Sequence, residues 1–252
     1  MTTPLKAISF DLWDTIIDDD SDEPKRRAQG LRSKREERRY LLWQALCKHQ
    51  AVALEDVTLA FDTADAAFNK VWREHTITWT IGERLRVVLQ GLGRALPDDE
   101  FADLAGRLGR MEIDIPPNAI AGIEPALKEL SAQFKLCIVS DAIVTPGRDL
   151  RTLLDHHGLR GYFTGFAFSD EVGHSKPHPS IFEAAARQLG VKVAEMVHVG
   201  DREHNDIKGP QALGMKAVLF TAKRADDKPG TAADAVCERA GDLPAVVGSL
   251  AH

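Results

Sequence analysis

Five short apolar runs punctuate this chain, and segments of helical period fill the intervals between them. The runs are "LKAISFD", "FKLCIVSD", "GFAFSDE", "EMVHVGD" and "MKAVLF", each about the length of one buried strand. Between them lie "EPALKELSAQ", "GRDLRTLLDHHG" and "PSIFEAAARQLG", the last with Pro179 near its start and Gly190 at its end, as a helix requires. A strand too apolar to have a wet face, followed by a helix and another such strand, specifies α/β organisation. The result is a parallel sheet covered on both faces.

The stretch from about residue 18 to 115 breaks this rhythm. It contains no convincing strand, and "EERRYLLWQALCKH", "EDVTLAFDTADAAFNKVW" and "IGERLRVVLQGLG" all repeat at helical spacing. Pro116 and Pro117 end the helical block. One part of it is biased in charge: the acidic run Asp18 to Glu23 precedes the basic run "PKRRAQGLRSKREERR". A solvated linker running into a solvated helix face is the expectation, and a basic surface that attracts an anionic substrate is the alternative.

Composition narrows the function classes. With 252 residues and 44% hydrophobic residues the chain can bury a sizeable core, and a net charge of −6 argues against nucleic acid as a partner. No apolar run is long enough to span a bilayer, and the N-terminal run is broken by Asp11, so neither a membrane segment nor a signal peptide is expected. Cys47, Cys137 and Cys237 lie far apart with no C-x-x-C spacing. Reduced thiols in a cytoplasmic protein are expected, without a cysteine-based metal framework.

Ligands of an open parallel sheet bind beyond the carboxyl ends of its strands. Asp11 ends the first run, Ser140 and Asp141 end the second, Lys176 follows "FAFSDEVGHS", and Asp201 follows Gly200. In this order the set resembles the haloacid dehalogenase superfamily, most of whose members are phosphatases. "FDLWDT" gives Asp11 and Thr15 of the first motif, "LCIVSD" gives Ser140 of the second, "SKPHPSIF" gives Lys176 of the third, and "GDREHND" gives Asp201 and Asp206 of the fourth.

The resemblance covers nearly the whole chain. It implies a Rossmann-like three-layer core (1–17 and 115–252) with an inserted helical cap (18–114). It also implies Mg²⁺ bound by Asp11, Asp201 and the Trp13 carbonyl, with Asp206 in or beside the shell, and a small phosphorylated substrate. Asp11 would be the nucleophile. Thr15, Ser140 and Lys176 would complete the catalytic set, and Trp13, Ser140, Asp141 and Lys176 would contact substrate. A carboxylate attacking a phosphate dianion must overcome charge repulsion, which accounts for the cation and for the lysine.

Trp13 departs from the family's pattern. Phosphatases of the superfamily carry a second Asp there, which protonates the leaving group; an indole cannot. Four readings stay open. The first is a phosphatase whose acid is replaced by Asp14, His204, Asp141 or His75, or whose leaving group needs no proton. The second is a 2-haloacid dehalogenase, whose aromatic residue at this position Trp13 matches but whose uncharged neighbours Asp141 and Asp201 do not. The third is a phosphonatase using Lys34, Lys48 or Lys70 as a Schiff-base lysine. The fourth is a non-catalytic binder, or another carbon–heteroatom hydrolase. His156, His157, His174, His178 and His198 form no ligand pattern and are expected at the surface or at strand ends, and Trp43, Trp72 and Trp79 in packing.

Overall fold

The computed structural model describes residues 4–251. Six strands, β1 (Ala7–Phe10), β2 (Lys135–Ser140), β3 (Gly165–Phe168), β4 (Met196–Gly200), β5 (Lys216–Phe220) and β6 (Ala235–Cys237), form one parallel sheet. Their order is β3-β2-β1-β4-β5-β6. The five apolar runs are β1 to β5. The three-residue β6 is too short to stand out in sequence.

All four residues of β1 are buried, as expected of a central parallel strand covered on both sides. The chain builds outward from β1 to β2 and β3, then returns to lay β4 against the other side of β1. This reversal opens a crevice beyond the carboxyl ends of β1, β2 and β4, the place where this architecture receives ligands.

Between β1 and β2 the chain forms seven helices, of which the first six are α1 (Glu23–Ala28), α2 (Lys34–Cys47), α3 (Leu54–His75), α4 (Ile81–Gly91), α5 (Asp98–Gly109) and α6 (Met111–Asp114). Capping boxes start two of them, with Ser33 and Glu36 on α2 and Thr80 and Glu83 on α4. Helix α2 packs on α3, α3 on α4, α4 on α5, and α5 back on α2. The closed set buries its own apolar cluster around Leu42, Phe61, Leu85, Val88 and Leu108. A larger cluster around Phe10, Leu127, Ile138, Leu153 and Val197 lies against the sheet.

The two passages joining this helical segment to the sheet run side by side. Asp18 N–H donates to the Asn118 carbonyl (2.8 Å) and Asn118 N–H to Ser21 Oγ (2.7 Å). Where they meet the helices, buried Lys34 donates to Asp22 (2.9 Å) and Glu112 (3.2 Å) and lies 3.1 Å from Asp20. The basic run is thus not uniformly a solvated face: Arg26, Lys34 and Arg39 are buried, with Arg39 paired to Asp62 and Asp65. Glu112, Asp62 and Asp65, which pair with Lys34 and Arg39, lie 23 or more residues away, so local composition could not show this burial, and Arg26 donates to the Arg32 carbonyl (2.9 Å).

Helix α7 (Ile123–Ser131), just before β2, and α8 (Gly147–His156), α9 (Ser169–Val172), α10 (Pro179–Leu189), α11 (Gly209–Ala212) and α12 (Leu243–Leu250), beyond it, complete the covering layers. Cys47, Cys137 and Cys237 are free thiols. Among the described residues no helix is long and apolar enough to cross a membrane.

Candidate active site

Asp11 stands at the carboxyl end of β1, with its N–H donating to the Val199 carbonyl of β4 (2.9 Å). The residue is 6% exposed. Lys176, 3% exposed, reaches it from the segment before α10: Nζ lies 2.6 Å from Asp11 Oδ1 and 2.7 Å from Asp206 Oδ1. The Lys176 N–H donates to Asp141 Oδ1 (2.9 Å). Burial alone would favour the neutral amine, but Asp11, Asp206 and Asp141 outweigh it and hold Lys176 protonated, above the ordinary lysine range.

Asp206 sits on a π-helical turn (Glu203–Lys208) directly after the loop that follows β4. Besides Lys176 it meets His198 Nε2 (3.1 Å) and the Arg202 N–H (3.0 Å). Burial opposes its charge, yet Lys176 and His198 prevail and keep it below the usual carboxylate range. Gly200 makes the approach possible, since a Cβ there would overlap the Asp206 carboxyl.

His198 was expected at a strand end or surface. It is instead fully buried on β4, with Nδ1 2.8 Å from Ser9 Oγ. A histidine is tolerated inside an apolar strand because both ring nitrogens find partners.

Asp201 is the exception in this network. It is 1% exposed, and neither carboxylate oxygen has a hydrogen-bond partner. Burial, then Asp11 and Asp206, push it up to about 8. One oxygen each from Asp11, Asp201 and Asp206 lie within 4.8 Å of one another. Three converging hard oxygen donors, one of them buried without a partner, fit a divalent cation of the Mg²⁺ type.

Thr15 and Ser140 are fully buried, with their hydroxyl oxygens also unpartnered. Asp11, Trp13, Asp141 and Lys176 line a cavity of about 220 Å³. The sheet side adds Arg202 and Asn205, and the helical side Lys34, Arg38, Trp72 and Glu112. Thr15, Ser140, Asp201 and Asp206 do not line it. Trp72 Nε1 donates to Asp141 Oδ2 (3.3 Å), so helix α3 touches the carboxyl edge of β2 here.

Of the four candidates for the missing acid, only Asp141 lines this cavity; Asp14, His75 and His204 do not. Burial, opposed by Lys176, pushes Asp141 up to about 6. Among the Schiff-base candidates, Lys48 and Lys70 are exposed and outside the cavity. Lys34 lines it, but Glu112, Asp22 and Asp20 overcome the effect of burial and raise its pKa. A Schiff-base lysine needs the opposite shift.

Sequence reasoning missed several lining residues, among them Asp19, Arg38 and Glu112. Asp19 belongs to the acidic run read as linker. Burial, reinforced by Asp20 and opposed by Lys34, pushes it up to about 7. Its native carboxyl therefore keeps a proton that unfolded Asp loses near pH 4. Between about pH 4 and 7 the native state binds more protons, and stability falls as pH rises, by at most about 1.4 kcal/mol per unit. Partial contact with solvent makes the slope shallower. Thermal unfolding in EDTA should show a flatter pH profile for Asp19→Asn than for wild type over this window. Parallel profiles would exclude Asp19 as the titrating group.

A model of the haloacid dehalogenase-like hydrolases matches residues 5–214. The chain belongs to that family. Glyceraldehyde 3-phosphate phosphatase of Methanopyrus kandleri is 39% identical over 105 residues, 41% of this chain and 43% of that protein. The chain thus aligns with less than half the length of that relative. Among solved structures, a 2-haloacid dehalogenase from Pseudomonas syringae pv. tomato has a TM-score of 0.67 at 24% identity, covering 97% of this chain and 99% of that one. A phosphatase of the family from Thermococcus onnurineus has a TM-score of 0.65 at 22% identity, covering 97% and 98%. At these identities the two structures share the fold of this chain. A dehalogenase and a phosphatase fit it almost equally well, so overall shape does not choose between the two chemistries.

Proposed function

We propose that this hydrolase is a Mg²⁺-dependent phosphatase of a small phosphorylated metabolite, acting through an aspartyl phosphate on Asp11. The observation that carries this reading is the buried carboxylate trio of Asp11, Asp201 and Asp206, with Lys176 pairing only the first and third. A dehalogenase has no use for a buried Asp201 beside its nucleophile. An ionised Asp201 there would repel a carboxylate substrate.

Asp11, Asp201 and the Trp13 carbonyl, with Asp206 beside them, would hold the cation, which would supply charge neutralisation between nucleophile and phosphoryl group. The chain does the rest. Asp11 attacks phosphorus, and the bond to the leaving oxygen breaks. Lys176 holds Asp11 in place and counters the charge on the transferring group. Ser140 and Thr15, whose hydroxyls have no partner among the described residues, donate hydrogen bonds to the reacting end of the site. Water then releases phosphate from Asp11. Asp141 takes the role that the indole of Trp13 cannot, giving a proton to the leaving oxygen. Residues 18–114 act as the cap that closes over the cavity. The phosphatase named among its relatives agrees with this reading.

A hydrolysis screen tests it, using alkyl and aryl phosphates, an acyl phosphate, a phosphonate and a 2-haloacid, each with and without Mg²⁺. Phosphate release that needs Mg²⁺ is expected. Halide release without metal would replace this reading with the dehalogenase one, and silence on every substrate would leave a binding protein.

The assignment of Asp141 predicts a split by leaving group. Asp141→Asn should lower kcat/KM for an alkyl phosphate by about a hundredfold. An aryl phosphate, whose leaving oxygen is already stable as an anion, should lose much less. Equal losses on both would assign Asp141 to holding the Lys176 main chain and not to proton transfer.

A further inference from the structure

The cavity beside Asp11 is lined by one cation whose side chain pairs with no carboxylate among the described residues. Arg38 lies one helical turn after Lys34 on α2, and both line the cavity. The other lining cations are already engaged: Lys34 with Asp22, Glu112 and Asp20, Lys176 with Asp11 and Asp206, and Arg202 with Asp201 at 3.8 Å. Among the described residues the Arg38 side chain makes no hydrogen bond and no ion pair, and its Nε is buried without a partner. A half-buried guanidinium with an unmet donor is costly unless an anion completes it.

The acids lining the same cavity do not serve as that anion. Glu112 accepts from Lys34 and from Thr145 Oγ1. Asp20 pairs with Lys34, while burial pushes Asp19 up to about 7 and so removes much of its charge near neutrality. The charged groups that act on Arg38 are Glu112, Asp65, Arg39 and Glu23, none of them at the reacting end. Burial dominates them and lowers the Arg38 pKa. Trp13, Trp72, Ile143 and Val144 supply apolar surface to the same space.

We propose that Arg38 is a specificity-determining residue that binds a second anionic group of the substrate, a carboxylate carried on a short carbon skeleton away from the phosphoryl group. A cavity of about 220 Å³ is below the range for drug-sized ligands, which restricts the class to small phosphorylated acids. The planar fork of arginine suits a carboxylate bidentately. This inference rests on the phosphatase reading for the identity of the first anion, but the Arg38 subsite can be tested without turnover.

The test is calorimetric titration, in Mg²⁺, with 4-phosphonobutanoate and with its carboxamide. The two have the same shape and differ in the distal charge, and neither has a hydrolysable phosphate ester. Wild type should bind the acid at least about tenfold tighter than the amide. In Arg38→Met the two should bind alike, and in Arg38→Lys, which keeps the charge and loses the fork, a reduced preference should remain. Equal binding of acid and amide by wild type would overturn the proposal, and so would an acid preference that survives in Arg38→Met. The wild-type comparison stands even if a variant fails to fold. Hydrolysis of p-nitrophenyl phosphate, followed in parallel, separates the two readings. No turnover with the acid preference intact would discard the phosphatase and keep the subsite; turnover without the preference would discard the subsite alone.

Discussion

Asp11→Asn should reduce phosphate release by about ten-thousandfold or more while leaving the fold intact. The amide has nearly the same shape as the carboxylate but is a very poor nucleophile. Its surroundings tolerate the change, because Lys176 keeps Asp206 as a partner at 2.7 Å when the Asp11 charge is lost. A circular dichroism spectrum and unfolding midpoint close to wild type, together with background activity, are the expected pair of results. Appreciable turnover by Asp11→Asn would rule out a covalent intermediate on this residue.

Removal of divalent cations should be nearly as damaging. Excess EDTA is expected to lower kcat by about a thousandfold or more, with recovery on addition of Mg²⁺, since a cation at such a site contributes several kcal/mol of transition-state stabilisation. The structural reason is Asp201, whose buried carboxylate oxygens accept no hydrogen bond from the described residues. Asp201→Asn should mimic the chelator by weakening cation binding. Full turnover in excess EDTA would contradict the assignment of Asp201 and reopen the dehalogenase reading suggested by Trp13.

The parts of the fold legible in the sequence were those whose signal is local. Strands β1 to β5 are largely buried, so each reads as a mainly apolar run, and the acids Asp11, Asp141 and Asp201 follow β1, β2 and β4 directly. The same locality made Asp11, Lys176, Asp201 and Asp206 visible, since the chemistry of this architecture gathers at the carboxyl edge of the sheet. What stayed hidden depends on tertiary closure. Whether a cation in "PKRRAQGLRSKREERR" is solvated, paired or left over is decided by Asp22, Asp62, Asp65 and Glu112, up to 78 residues away from the lysine or arginine they meet. Lys34 and Arg39 are consumed by those acids and Arg38 is not, a distinction no periodicity carries. His198 was misplaced for a related reason. Its polarity argued for exposure, while Ser9 on the neighbouring strand and Asp206 on the following turn satisfy it inside the sheet.

The central claim is that phosphoryl transfer passes through Asp11, and rapid-quench mass spectrometry tests it most directly. Enzyme mixed with a good phosphate substrate and Mg²⁺, then quenched in acid within one turnover, should yield the peptide containing Asp11 heavier by one phosphoryl group, and Asp11→Asn should yield none. An unmodified Asp11 peptide at times when product is forming, or the added mass on a different residue, would contradict the account.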